Sequence, residues 1–206
     1  MSSNNPPPTN HILNAYETFV RETPLVTRYI LTGQFVTWWL SFFVDLSMIL
    51  GNIPQFTVFR FELYRIVLSP FICPGLFSLI FAYISFVDNG RRLEFSMGST
   101  AFFVLTMMIG VLTNLAFIAL LFLLYGITGS HSLLILPSVG IWIILFGIIA
   151  IECSNAPPDS KRRLFFYDVP TKYYPLALFG LFSLLGGFSL SHLISIGVGF
   201  AYGYVQ

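Results

Sequence analysis

Few side chains in this sequence could do chemistry. Of its three histidines, His192 heads "SHLISIGVGFAYGY", an apolar stretch that also holds Gly197, Gly199 and Gly203. A serine nucleophile needs a base within hydrogen-bond reach and donors aimed at the developing oxyanion. Ser138, in "LLILPSVGIW", is the serine that could meet His192 and act this way. The structural alternative is a neutral imidazole near a helix start. It would bond a neighbour such as Ser138 or Tyr174 and hold two helices in register. One imidazole is no metal site, and Cys73 and Cys153 lack metal-ligand spacing, so neither a metal nor another cofactor is expected. Gly199 and Gly203 form a small-xxx-small pair that lets two helix backbones approach. Ser78, Ser85 and Asn114 are polar groups inside apolar stretches, suited to lining a membrane groove or to helix–helix contacts. His131, in "GSHS", reads as an exposed loop residue. Asp45 and Glu152 lie near the ends of apolar runs, where water or the basic segment at 161–163 can satisfy them.

The elements that must position these groups follow from composition. The chain has 206 residues, 56% hydrophobic and 9% charged. A soluble domain is nearer a quarter charged, so this is an integral membrane protein. A net charge of +1 supplies no basic patch, so nucleic acid is not an expected partner. "MSSNNPPPTN" is too polar for a secretory signal and reads as a disordered tail over 1–10. "HILNAYETFVRE" places Ile12, Leu13, Tyr16, Phe19 and Val20 on one face, which predicts an amphipathic interfacial helix within 11–28. Apolar runs at 29–50, 69–87, 101–124 and 133–151 match the roughly 20 residues a span needs. The 32 residues of 174–205 suit two short helices, broken at Gly186 and Gly187. The fold class is then an all-α membrane protein of six transmembrane helices over 29–206. With that count, Arg21, Arg28, Arg91, Arg92, Lys161, Arg162, Arg163 and Lys172 share one side, against Arg60 and Arg65 on the other. The bias puts both termini in the cytoplasm, or in the matrix of a mitochondrion.

The His192–Gly199–Gly203 spacing resembles the sixth helix of the rhomboid superfamily. "RETPLVTR" at 21–28, "FELYRIVLSPF" at 61–71 and "CPGLFSLIFAYISFVDNGRRLE" at 73–94 are similar to derlins, the inactive rhomboid branch of endoplasmic-reticulum quality control. Ubiquitin-associated-domain rhomboid-like proteins are near relatives. The resemblance implies a six-helix rhomboid-like fold, with Tyr64 and Arg65 standing for the family's Trp-Arg motif. Arg65 would then fix the loop after the first span by bonding Glu62 or backbone carbonyls. The chain also departs from derlins. Ser78 and Ala82 stand where they carry Asn, and His192 where they usually lack it. The sequence ends at Gln206, so the reading expects neither an ATPase-recruiting tail nor a ubiquitin-associated domain.

In active rhomboids the serine lies in a Gly-x-Ser-Gly setting with an Asn donor on the second span. If Gly140 is the glycine after the nucleophile, Val139 replaces the serine; if Ser138 is the nucleophile, Leu136 and Val139 replace the glycines. Ala82 aligns with the donor. The resemblance therefore implies a pseudoprotease that holds misfolded clients in a thinned membrane during endoplasmic-reticulum-associated degradation. Its partners would be membrane lipid and a ubiquitin-ligase complex. The alternatives are a structural subunit of a larger membrane assembly, in the mitochondrial inner membrane, and an intramembrane protease using Ser138 and His192.

Overall fold

The computed structural model describes residues 11–157, 159–164, 167–186 and 189–205. The tail expected at 1–10 and Gly187 of the expected break lie outside them. The chain begins with α1, His11–Glu22, in which Phe19 and Val20 are half-buried while Glu17, Thr18, Arg21 and Glu22 are exposed. Pro24, extended at φ −66° and ψ 164°, separates it from α2, Leu25–Leu40. The amphipathic helix expected within 11–28 thus ends at Glu22, before Pro24, because a proline starts a helix well but cannot continue one.

The first turn of α2 leaves backbone N–H groups without intrahelical partners. Glu94, far along the chain, supplies them. Its Oε1 accepts from Val26 N–H (2.8 Å), and its Oε2 from Thr27 N–H (2.7 Å) and the Thr27 hydroxyl (2.8 Å). Ser99 donates its hydroxyl to Oε1 at 2.6 Å.

The apolar run expected to cross over 29–50 does not continue as one helix. It turns at residues 41–45, where the Ser41 hydroxyl donates back to Trp38 O and Asp45 caps the next helix by accepting from Met48 N–H. Three short helices follow, α3 (Leu46–Leu50), α4 (Pro54–Phe59) and α5 (Tyr64–Leu68), then a 3₁₀ turn at Ser69–Phe71. Residues 72–75, with Pro74 and Gly75, bend the chain by 83° into α6, Leu76–Met97. The second run is thus a 3₁₀ turn and a bend, with Ser69, Ile72 and Cys73 buried, joined to a helix. Gly98, at φ +84°, reverses the chain directly into α7, Ser99–Thr128.

A 3₁₀ turn at His131–Ile135 precedes α8, Trp142–Ser154. The fourth apolar run therefore becomes helical nine residues later than expected, because Pro137 and Gly140 (φ +102°) occupy its start. Strands β1 (Lys161–Leu164) and β2 (Tyr167–Pro170) then pair antiparallel, with Arg163 opposite Asp168. This hairpin corrects the all-α expectation: the chain is mostly helical but not wholly so. The last two helices are α9, Tyr174–Gly186, and α10, Leu190–Val205.

At the centre stands α8. Every residue from Ile141 to Ile151 is buried, as befits a helix that is apolar all round. It is wrapped by α6, α7, α9 and α10, while α2 lies on α6. One end of this bundle gathers the start of α2, the end of α6, the end of α8 and the hairpin. The α3–α5 segment lies at the opposite end, where Asn52 and Ser138 bridge. Among the described residues, α7 is the helix long and apolar enough to cross a bilayer unaided; the bent segment Tyr64–Phe71 with α6 qualifies as a pair.

Candidate functional site

Ser138 lies just before α8, in the stretch that crosses under the α3–α5 segment. Its backbone exchanges hydrogen bonds with Asn52: Ser138 N–H donates to Asn52 O (2.9 Å) and Asn52 N–H to Ser138 O (3.2 Å). Its hydroxyl donates to Asn114 Oδ1 on α7 at 2.9 Å. Asn114 is the hub of a wider set. Its Oδ1 also accepts from Asn52 Nδ2 (3.0 Å), and its Nδ2 donates to Ile66 O and the Ser69 hydroxyl, both at 2.8 Å. Thr57 donates to Asn52 Oδ1 at 2.9 Å. Asn52, Thr57, Ser69, Asn114 and Ser138 are each 0% exposed, so water does not serve these groups from outside. Buried polar groups cost free energy unless paired; here each pairs with another, and the set fastens the α3–α5 segment to α7 and the entry of α8.

Three donors near the serine could have served an oxyanion, and all three are occupied. Ser138 N–H bonds Asn52, Gly140 N–H bonds Ser69 O (3.0 Å), and the Asn114 amide bonds Ile66 and Ser69. Ala82, at the position aligned with a donor, is a fully buried methyl group. His192 sits near the start of α10, its ring 5.2 Å from the Phe146 ring. Among the described residues its ring bonds neither Ser138 nor Tyr174. Tyr174 instead lies under Arg162, whose guanidinium carbon is 5.7 Å from its ring.

What holds α10 to α8 is close packing. A Cβ built on Gly199 would press into the Gly147 carbonyl and stand 2.7 Å from Ala150 Cβ; one on Gly203 would press into Ser154. The Ser195 hydroxyl donates across the same contact to Ile143 O. Small residues on both helices thus allow an approach no larger side chain would permit. Beside it, an aromatic cluster closes the space between α6 and α9: Phe182 lies 4.1 Å from Trp142 and 5.9 Å from Phe81.

At the far end, Arg65 is 5% exposed. It pairs through Nε with Glu62 and donates from Nη1 to Met48 O (2.7 Å) and Gly51 O (2.8 Å), tying α5 to the end of α3. Its neighbour Tyr64 is exposed, its hydroxyl 3.4 Å from Ile49 O.

Asn114, read as lining a groove or making a helix–helix contact, is buried in the network, while Ser78 and Ser85 are half-buried on α6. Asn52, Thr57, Ser69 and Glu94 escaped the sequence reading. Each pairs with residues distant in sequence or lies in an irregular segment, so no local spacing marked it.

Comparison with known proteins adds two findings. A family model described as the rhomboid domain matches residues 60–206. Rhomboid-like protein 15 of Arabidopsis thaliana is 31% identical over 157 residues, covering 74% of this chain and 39% of that protein. The chain thus spans well under half the length of that relative.

Proposed function

This chain belongs to the rhomboid family, and from that premise we propose that it is a catalytically inactive, derlin-like member that binds membrane-protein clients. The observation that carries the reading is the Asn114 network. Ser138 spends its hydroxyl and its N–H on Asn114 and Asn52, and among the described residues no imidazole takes its proton. Without a base and with its nearest oxyanion donors occupied, a serine lacks two of the devices acyl transfer requires. Losing one such donor alone costs a factor of about 100 or more in rate.

Helix length supports a role through the bilayer. At 1.5 Å per residue, α8 and α9, of 13 residues each, are about 20 Å long, and α10, of 16, about 24 Å. A hydrocarbon core is about 30 Å thick. A bilayer meeting such helices thins, which lowers the barrier to moving polar segments across it. In this reading α2 and α6 to α10 cross the membrane with both termini in the cytoplasm. The membrane is that of the endoplasmic reticulum, and clients are eased toward degradation with a ubiquitin-ligase complex as partner. The test is direct. A serine-reactive fluorophosphonate should leave the purified protein unlabelled, and a generic transmembrane substrate should remain intact. Labelling or cleavage by the wild type that Ser138→Ala abolishes would establish a protease and overturn the proposal.

A further inference from the structure

We propose that Arg92 and Arg162, gathered by Glu152 at the hairpin end of the bundle, bind the phosphate of an anionic phospholipid. Glu152 is the last charged residue of α8, and its side chain is 13% exposed. Its two oxygens accept from Arg92 Nη2 at 2.6 and 2.7 Å, and Oε2 accepts from Arg162 Nη2 at 3.1 Å. Two guanidinium charges thus share one carboxylate. Both spend only Nη2 on it, Arg92 adding a bond from that atom to Asn89 Oδ1 (3.2 Å). Among the described residues, Nε and Nη1 of each make no hydrogen bond. The side chains are 56% and 30% exposed, so these donors reach the surface.

The place decides the ligand. The apolar run of α6 ends at Val87, and Arg92 lies five residues on, about 7.5 Å along the helix axis. Beyond the hydrocarbon core the headgroup layer is about 5–8 Å deep on each side. The cluster therefore sits where lipid phosphates sit. A planar guanidinium fork matches phosphate oxygens and gives up little freedom when it is already held. Glu152 does that holding, and the hairpin completes it. Strand alternation turns Arg162 and Leu164 toward the bundle and leaves Lys161 and Arg163 exposed. Of those outer cations, Arg163 stands opposite Asp168 across the ladder, and Asp159 lies two residues before Lys161 in the chain. The attraction comes from the paired arginines, and the site's excess of one positive charge favours a lipid with a net negative charge over a zwitterionic one.

The test uses the full chain in an uncharged maltoside micelle, incubated with short-chain phosphatidylglycerol or phosphatidylcholine and examined by native mass spectrometry. Retention of phosphatidylglycerol at least about tenfold over phosphatidylcholine is expected, and R92Q/R162Q should remove the preference. That variant leaves Glu152 without a partner, so R92Q/E152Q/R162Q, which strands no charge, is measured beside it with thermal melting to check the fold. Undiminished phosphatidylglycerol retention by the folded triple variant would overturn the proposal. So would equal retention of the two lipids by the wild type. Displacement of the lipid by millimolar inorganic phosphate would mark a site for a soluble anion, and displacement by a polyglutamate peptide a site for an acidic protein segment; either overturns the lipid assignment.

Discussion

Asn114 shows how one side chain can set the fate of several. Replacing it with alanine strands the Ser69 and Ser138 hydroxyls in a dry site and leaves the Asn52 amide only its long bond to the residue-114 carbonyl (3.4 Å), and each buried polar group left without a partner costs about 1–3 kcal/mol. Asn114→Ala should therefore lose roughly 3 kcal/mol or more of stability. Ser138→Ala removes one donor while Asn52 still serves Asn114 Oδ1, and should lose about 1 kcal/mol. Reversible unfolding in detergent ranks the two; the opposite order would mean the serine acts beyond the network. The sequence marked Asn114 as polar in an apolar run but not which way it faced. Helix α7 is apolar on every side, so periodicity carries no direction there. The partners lie 24 to 62 residues away, beyond the reach of any local rule.

Between elements, the tightest contact is that of α10 on α8. Gly199→Leu forces the Gly147 carbonyl and Ala150 aside, and overpacking of this kind costs typically about 1–3 kcal/mol. His192→Ala removes a ring contact with Phe146 and should cost less, so a histidine variant that unfolds more readily than the glycine variant would point to a partner for the imidazole. This glycine pair was legible because small residues at a spacing of four have one common use in apolar helices. So was the division of residues 174–205, too long for one helix and interrupted by glycines. The end of α2 was not. The residues "SFFVDLSMIL" stay largely apolar through the turn, and although Asp45 caps α3, no glycine or proline marks the end of α2. The turn itself is held by local bonds, from the Ser41 hydroxyl to Trp38 O and from Met48 N–H to Asp45, while Thr37, inside α2, is tied across the fold by Cys73 N–H at 3.2 Å. The late start of α8 was within reach, since Pro137 and Gly140 are helix breakers, but hydropathy alone ran across them.

For the whole molecule, the two ends carry different instructions. Single cysteines at Ser96 and Asp159, exposed at the hairpin end, should react with an impermeant maleimide from the cytoplasmic side, and one at Gln55 from the opposite side. Labelling of all three from one side would exclude a bundle that crosses the membrane as proposed. The thinning mechanism is tested separately by inserting four leucines after Leu181. This lengthens α9 by about 6 Å and leaves the Gly199 contact alone. The protein should still fold and reach its membrane, while turnover of a misfolded membrane client slows. Unchanged client turnover would make the short helices incidental to function.

Glu94 sets a schedule for synthesis. The carboxylate that completes the first turn of α2 lies 67 and 68 residues downstream of the N–H groups it accepts from. At roughly 5–20 residues per second, a ribosome needs about 3–14 s to make that stretch. For that interval α2 has left the ribosome with its leading turn unfinished, and only water, headgroups or a chaperone of the insertion machinery can occupy those N–H groups. The helix that enters first is therefore completed late, when α6 arrives, and a newborn chain arrested before residue 94 should expose its leading turn to hydrogen exchange, protection appearing once α6 is made.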